Sequence, residues 1–389
     1  MKFLKFSALF LMLVSISIIF YSCNETTSTG DSPVIDSINP TNGVPGTEVT
    51  ILGSNFGDYN QLKCKVYFNG EEAQPKFIGN EIQWFDDEIV AIVPTRATTG
   101  NVIVEVDGLT SNGIVFTVPS VNPATAVMAT SKDDNSVSLK WTASTDESNT
   151  DFAGYWLYVY PNNGTPGSYF EIPKGTTTYL ATGLTEGTIY NFDIHAVKNY
   201  GGNFLLSPKA TVKWSPASRF IYNINDAEIR IYETASTDFG SGLQLCEGTE
   251  LKPKTLKLAS AADWDLGIYT TGNSIWFGTP SKMKSRYSNF NATAKPCQIA
   301  GTHYFYNSLD ELFDSQALDG QTYSEMEIDL STLTDNKNVI FIVRTNSPTW
   351  NYAKIMLFYN DGYLQGDSPN RYIKAHVSYQ KTAGVPYAL

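Results

Sequence analysis

Histidine is scarce in this 389-residue chain, which has three: His195, His303 and His376. So few imidazoles leave little room for triad chemistry, and no two of them stand at the spacing of a zinc-binding pair. A nucleophile elbow and a phosphate-cradling glycine loop are lacking as well. Basic residues are also few, with 27 Lys and Arg against 39 Asp and Glu and a net charge of −12. A chain this acidic gains nothing by neutralising phosphates, so nucleic acid is excluded as a partner. It has no polybasic patch to hold an anionic lipid surface. Cysteine is limited to four. Carboxylate pairs such as Asp263 and Asp265 or Glu325 and Glu327 meet the minimum for glycoside hydrolysis. On so acidic a chain they carry little information, and we expect no enzyme.

Aromatics are abundant, with 23 Tyr and 21 Phe. Rings and β-branched side chains suit pleated, half-buried surfaces, which is the profile of a β-rich secreted protein. The length allows two to four domains of ~100–200 residues. At the start, Lys2 and Lys5 precede an apolar run, Ala8 to Phe20, followed by Ser22 and Cys23. Positive start, apolar centre and small residue at the cut are the parts of a secretory signal. The run nears the ~17–25 residues that cross a bilayer, so an uncleaved anchor is the alternative. Ser22-Cys23 resembles the lipobox of bacterial lipoproteins. That resemblance implies removal of residues 1–22, acylation of Cys23 and a surface-exposed chain anchored by lipid in the outer membrane. Residues 24–32 are polar and read as a flexible leash.

Residues 33–118 show short strands broken by Gly, Pro and Asn turns, the pattern of a small β-sandwich. Pro40, Gly43, Gly46 and Thr47, followed by Gly53, Asn55, Phe56 and Gly57, make this segment resemble the IPT/TIG family of immunoglobulin-like domains. Trp84 and Phe56 are expected to pack its core, and Cys64 to be a small buried residue. In residues 122–217, Trp141 ends one strand and residues 154–160 form another. Leu184 to Tyr190 and the strand after it resemble a fibronectin type III domain, with Tyr190 as its tyrosine corner. His195 lies in that strand without another His in the domain and is expected to be structural or solvent-facing.

Residues 218–389 have the size of one larger domain. Strand-like runs dominate, and the one helical patch is residues 308–314, with Ser308 at the N-cap and Leu309, Leu312 and Phe313 on one side. Residues 262–268, residues 339–355 and residues 372–380 resemble HmuY-type lipoproteins, surface proteins known for carrying haem. In that likeness Trp264 fills the core and Asp265 takes up loop N–H groups. The expected architecture is all-β: two tandem immunoglobulin-like sandwiches, then a larger mostly antiparallel β module with one short helix.

The family's haem carriers hold iron between two His, which makes His303 and His376 the candidate haem ligands here. The alternative site is aromatic: Trp276, Trp350, Tyr352 and Tyr363 lie at strand ends or in loops, where rings can stack on a glycan. Cys246 and Cys297 could bridge in an oxidising compartment. No cofactor is expected, with haem second. The leading function is non-catalytic binding of an extracellular glycan or other nutrient beside an outer-membrane transporter. A haem carrier and a structural or adhesive protein are the alternatives.

Overall fold

The computed structural model describes residues 31–247, 252–258, 263–288, 290 and 296–388. The signal segment and Cys23 lie outside the described residues. The chain divides into two compact units at Pro119/Ser120. It is all-β, with one α-helix among the described residues. The second unit holds both residues 122–217 and residues 218–388.

In the first unit the strands run Val34–Asn39, Glu48–Ser54, Glu88–Ile92, Glu71–Pro75, Cys64–Phe68, Gly100–Val106 and Ile114–Phe116 across one curled antiparallel sheet. Alternate residues point inward, so Val49, Ile51, Val66, Phe68, Val102 and Val104 fill a single core. Trp84 and Phe56 are in that core as expected, and the Trp84 Nε1–H donates to the Phe56 carbonyl at 3.1 Å. Cys64 is buried there too.

The second unit begins with a sandwich. Thr125–Asp133, Ser136–Thr142 and Thr178–Ala181 form one sheet. Tyr169–Pro173, Phe152–Pro161, Tyr190–Tyr200 and Asn203–Leu206 form the other, with Ala210–Trp214 also paired to Tyr190–Tyr200. Trp141, Tyr155, Leu157, Phe192 and Trp214 lie between them. The Tyr190 hydroxyl accepts from the Thr185 N–H at 3.1 Å, which is the expected corner.

After it come two further sheets. The larger orders Ser218–Phe220, Tyr372–Tyr379, Asn351–Leu357, Val339–Thr345, Cys297–Phe305 and Tyr323–Ser324, with Arg230–Tyr232 also on Tyr372–Tyr379. The smaller orders Lys252–Leu256, Gly242–Glu247, Leu266–Thr271, Ser274–Gly278 and Glu327–Asp329. The larger sheet is covered on both faces. Val339, Phe341, Val343, Ala353, Ile355 and Leu357 belong to the core it shares with the smaller sheet. Ile340, Ile342, Tyr352 and Met356 belong to the core of the preceding sandwich. Double burial is why residues 339–343 read as an unbroken apolar run.

Lys354 stands in that second row between Tyr352 and Met356 and is wholly buried. Its Nζ donates to Thr130 Oγ1 at 2.9 Å and to the Leu309 carbonyl at 2.6 Å. Nearby, Asp310 pairs with Lys132 and, at 3.0 Å, with Arg219.

The helix is not where residues 308–314 predict it. Ser308 does cap, accepting from the Asp310 N–H at 3.1 Å, but only a 3-10 turn, Leu309–Glu311, follows. Asp310 is drawn into the ion pairs just described, and Asp314 exchanges two backbone hydrogen bonds with Ala129. Those contacts unwind what a second helical turn would need. The α-helix is Pro280–Arg286, opened by a proline at its start and closed with Lys284 and Arg286 in its last turn, both favourable places.

Candidate functional site

Alternation in the short strand Arg230–Tyr232 buries Ile231 and turns Arg230 and Tyr232 outward. The chain then loops through residues 233–240 and returns close beside its start, where the Tyr232 N–H donates to the Gly240 carbonyl at 2.9 Å. Glu233 pins this loop. Only 2% of it is exposed, and it accepts from Arg371 through the backbone N–H (3.0 Å), Nε (2.9 Å) and a terminal nitrogen (2.7 Å). A Cβ at Gly240 would lie 2.2 Å from the Leu256 carbonyl, so only glycine permits the approach.

The loop so fixed presents Phe239 stacked on Tyr232, with centroids 4.3 Å apart and planes 17° apart. Together with Asn223, Asn225, Asp238, Thr255 and Lys257 these rings line an open cleft of about 550 Å³. The Asn223 side chain accepts from the N–H groups of Asn225 (2.8 Å) and Ala227 (3.3 Å), shaping one wall. Thr255 Oγ1 donates to the Arg230 carbonyl at 3.0 Å and ties the edge strand Lys252–Leu256 to the other.

Glu228 at the base accepts from Lys374 (2.6 Å) and from Arg230 (2.8 Å). The hydrogen bond from Lys374, then that from Arg230, holds its carboxyl down to about 2. The Arg230 guanidinium lies 4.2 Å from the centre of the Tyr372 ring. The cleft thus joins flat apolar rings to carboxylate, amide, hydroxyl and cationic groups, which suits a polar organic ligand. Among the described residues no three His, Cys, Asp or Glu side chains gather to hold a metal.

The four aromatics picked from the sequence do not form a platform. Tyr352 and Tyr363 are buried at 4% and 3% exposure in different cores, on opposite faces of the larger sheet. The Tyr363 hydroxyl donates to the Lys337 carbonyl at 2.9 Å. Trp350 packs against the sandwich core with the Arg344 guanidinium 4.4 Å from its centre. Trp276 belongs to the smaller sheet and carries Arg286 at 3.4 Å. Two of the rings are buried in cores and each of the two tryptophans carries an arginine.

The two His are no better placed to share an iron. Between Cys297–Phe305, which holds His303, and Tyr372–Tyr379, which holds His376, lie two intervening strands, so three strand spacings or about 14 Å separate them. They also take opposite faces: His303 sits with Phe341, His376 with Phe358. Burial, then the Lys374 charge, lowers the His376 ring to about 4.

His195 is structural as expected, its Nδ1 2.7 Å from the Ser207 carbonyl oxygen. Cys246 and Cys297, the candidate bridge, lie on strands of different sheets and are not joined by a disulfide. Asp265 accepts from the N–H of Leu245, a strand residue and not the expected loop, at 2.7 Å, and its neighbour Trp264 is wholly buried.

Sequence reasoning passed over Tyr232, Asp238 and Phe239. The available signal was a phenylalanine inside the polar stretch Ser236 to Gly240, where a ring has no strand to bury it.

Family models match residues 33–123 as an IPT/TIG domain and residues 122–213 as a fibronectin type III domain. The chain therefore carries these two immunoglobulin-like domains in series. Both are non-catalytic, and such domains fit a surface or adhesive protein. No curated protein matches the chain. Among solved structures, a γ-CGTase from Alkalophilic bacillus clarkii aligns at 20% identity over 49% of this chain and 26% of that one, with a TM-score of 0.20. A segment of two fibronectin type III domains from chicken tenascin aligns at 14% over 58% of this chain and 91% of that one, TM-score 0.21. The chicken CNTN1 FN1-FN3 domains align at 12% over 84% and 99%, TM-score 0.24.

Proposed function

We propose that this is a lipid-anchored surface protein whose module after the fibronectin domain binds a polar extracellular ligand, a glycan, in the cleft beside Tyr232 and Phe239. The carrying observation is that stacked pair, set among Asn223, Asn225, Asp238 and Lys257 in about 550 Å³. Sugars offer one apolar face to a ring and hydroxyls to the polar groups around it. The N-terminal signal with its lipobox-like Cys23 supports anchoring, and the immunoglobulin-like domains support display at a surface. Delivery to an outer-membrane transporter is the role such a protein would serve.

Affinity electrophoresis against a polysaccharide panel tests the reading. A retarding polysaccharide is expected, with retardation lost in Phe239→Ala and kept in Trp350→Ala. Equal loss in both variants, or retardation by none, overturns the assignment of the cleft. A saturable Soret shift with haemin, abolished by Phe239→Ala, would replace glycan by haem in the same place. Labelling with a fatty-acid analogue tests the anchor and should disappear in Cys23→Ala.

A further inference from the structure

A second candidate place lies on the fibronectin domain, on the outer face of its five-stranded sheet. A bulge between Phe152 and Gly154 shifts the register of strand Phe152–Pro161 against Tyr190–Tyr200. Gly154 takes φ +138° there, and a Cβ would meet the Ile172 carbonyl oxygen at 2.3 Å. Beside it lies a notch of about 390 Å³, lined among others by Trp156, Phe204, Glu171 and Pro173.

Tyr169 stacks on Trp156 at 4.0 Å and 16°, and Trp156 but not Tyr169 lines the notch. Phe204, 47% exposed, stands 5.2 Å from Trp156 and tilted by 49°. Glu171 is directly opposite Trp156 in the antiparallel register. Among the described residues its carboxylate has neither an ion pair nor a hydrogen bond, and no basic side chain lines the notch.

The chain itself shows what fits such a combination. Arg286 lies over Trp276 at 3.4 Å while its Nε donates to Glu327 at 2.9 Å. Arg230 lies over Tyr372 at 4.2 Å while paired to Glu228 at 2.8 Å. Ring, carboxylate and guanidinium complete one another in both places, since the guanidinium stacks on the ring and its N–H fork reaches the carboxylate. At the notch the ring and carboxylate are present without the cation.

We propose that the Trp156–Phe204–Glu171 notch receives an arginine side chain from a partner polypeptide. The charge complementarity is also global, a basic segment meeting a chain of net charge −12. This site is separate from the glycan cleft and stands whether or not that cleft binds sugar.

Isothermal titration of the purified protein with tri-arginine, beside tri-lysine and tri-glutamine, tests it. Tri-arginine should bind tightest, because lysine stacks less well and glutamine carries no charge. Trp156→Ala and Glu171→Gln should each weaken tri-arginine about fivefold or more, while Glu81→Gln, the same charge change on the IPT/TIG domain, should not. Glu171→Gln retains side-chain shape and guards against loss of fold, which circular dichroism checks. Equal weakening by Glu81→Gln, or unchanged affinity in Glu171→Gln, would show attraction to bulk negative charge and overturn the proposal.

Discussion

Lys354→Met should change how the stability of the second unit depends on pH. In the folded chain burial, then the charge of Arg219, pushes the Lys354 pKa well below its ordinary 10.5, while Asp310 opposes this and Lys132 adds to it. Unfolded, the side chain titrates at its ordinary value. Between the two the native state binds fewer protons than the unfolded one, so this residue makes stability rise with pH across that window. The slope is at most about 1.4 kcal/mol per pH unit, and it is flat below the depressed pKa. Methionine has a similar length and no proton to lose, so the variant lacks this slope. The offset at any one pH is a poorer readout. It sets the relief of burying an ammonium against a Leu309 carbonyl and a Thr130 hydroxyl left without their donor, about 1–3 kcal/mol. Urea denaturation of both proteins from about pH 6 to about pH 10, with equal m-values, measures the difference. Parallel profiles would refute the reasoning, because Lys354 would then keep its ordinary titration.

Leu309→Ala, at 1% exposure in the shared core, should cost about 2–5 kcal/mol. Calorimetry should show residues 120–389 melting as one lowered transition; a separate unshifted peak for the fibronectin domain would contradict the continuous core. Tyr190→Phe removes the bond from the Thr185 N–H and should lower stability by about 1 kcal/mol in chemical denaturation. Glu233→Gln unclamps Arg371 and should weaken polysaccharide retardation without shifting tri-arginine affinity.

Local signals carried the two immunoglobulin-like domains well. Glycine turns, strand alternation and the Leu184-to-Tyr190 spacing are short-range features, and each corresponds to something observed, as at Trp84 and Tyr190. The helix at 308–314 failed for the opposite reason. Its cap and apolar side were legible, but Asp310 answers to Lys132 and Arg219, and Asp314 to Ala129, partners that are far away in sequence. The candidate aromatics failed similarly. Nothing in the sequence around Trp350 reveals that Arg344 covers it, or around Tyr352 that a second domain packs on that face. Pairing of distant segments was the missing information, and it decided which rings were exposed.

That covering bears on where the proposed sites lie. In a sheet with one solvated face, outward-pointing rings in central strands would be the natural binding platform. Here the fibronectin domain seals one face of the larger sheet and the smaller sheet seals the other, so its central strands can offer neither. What remains are edges and loops. The cleft uses Arg230–Tyr232, a short strand at the sheet margin, with a loop held by Glu233 and the edge strand Lys252–Leu256. The notch uses an edge strand as well, Tyr169–Pro173, beside a bulge. The fibronectin domain thus does more than space the chain: by covering the sheet it leaves only the margin for the proposed cleft, and its own outer face carries the proposed notch.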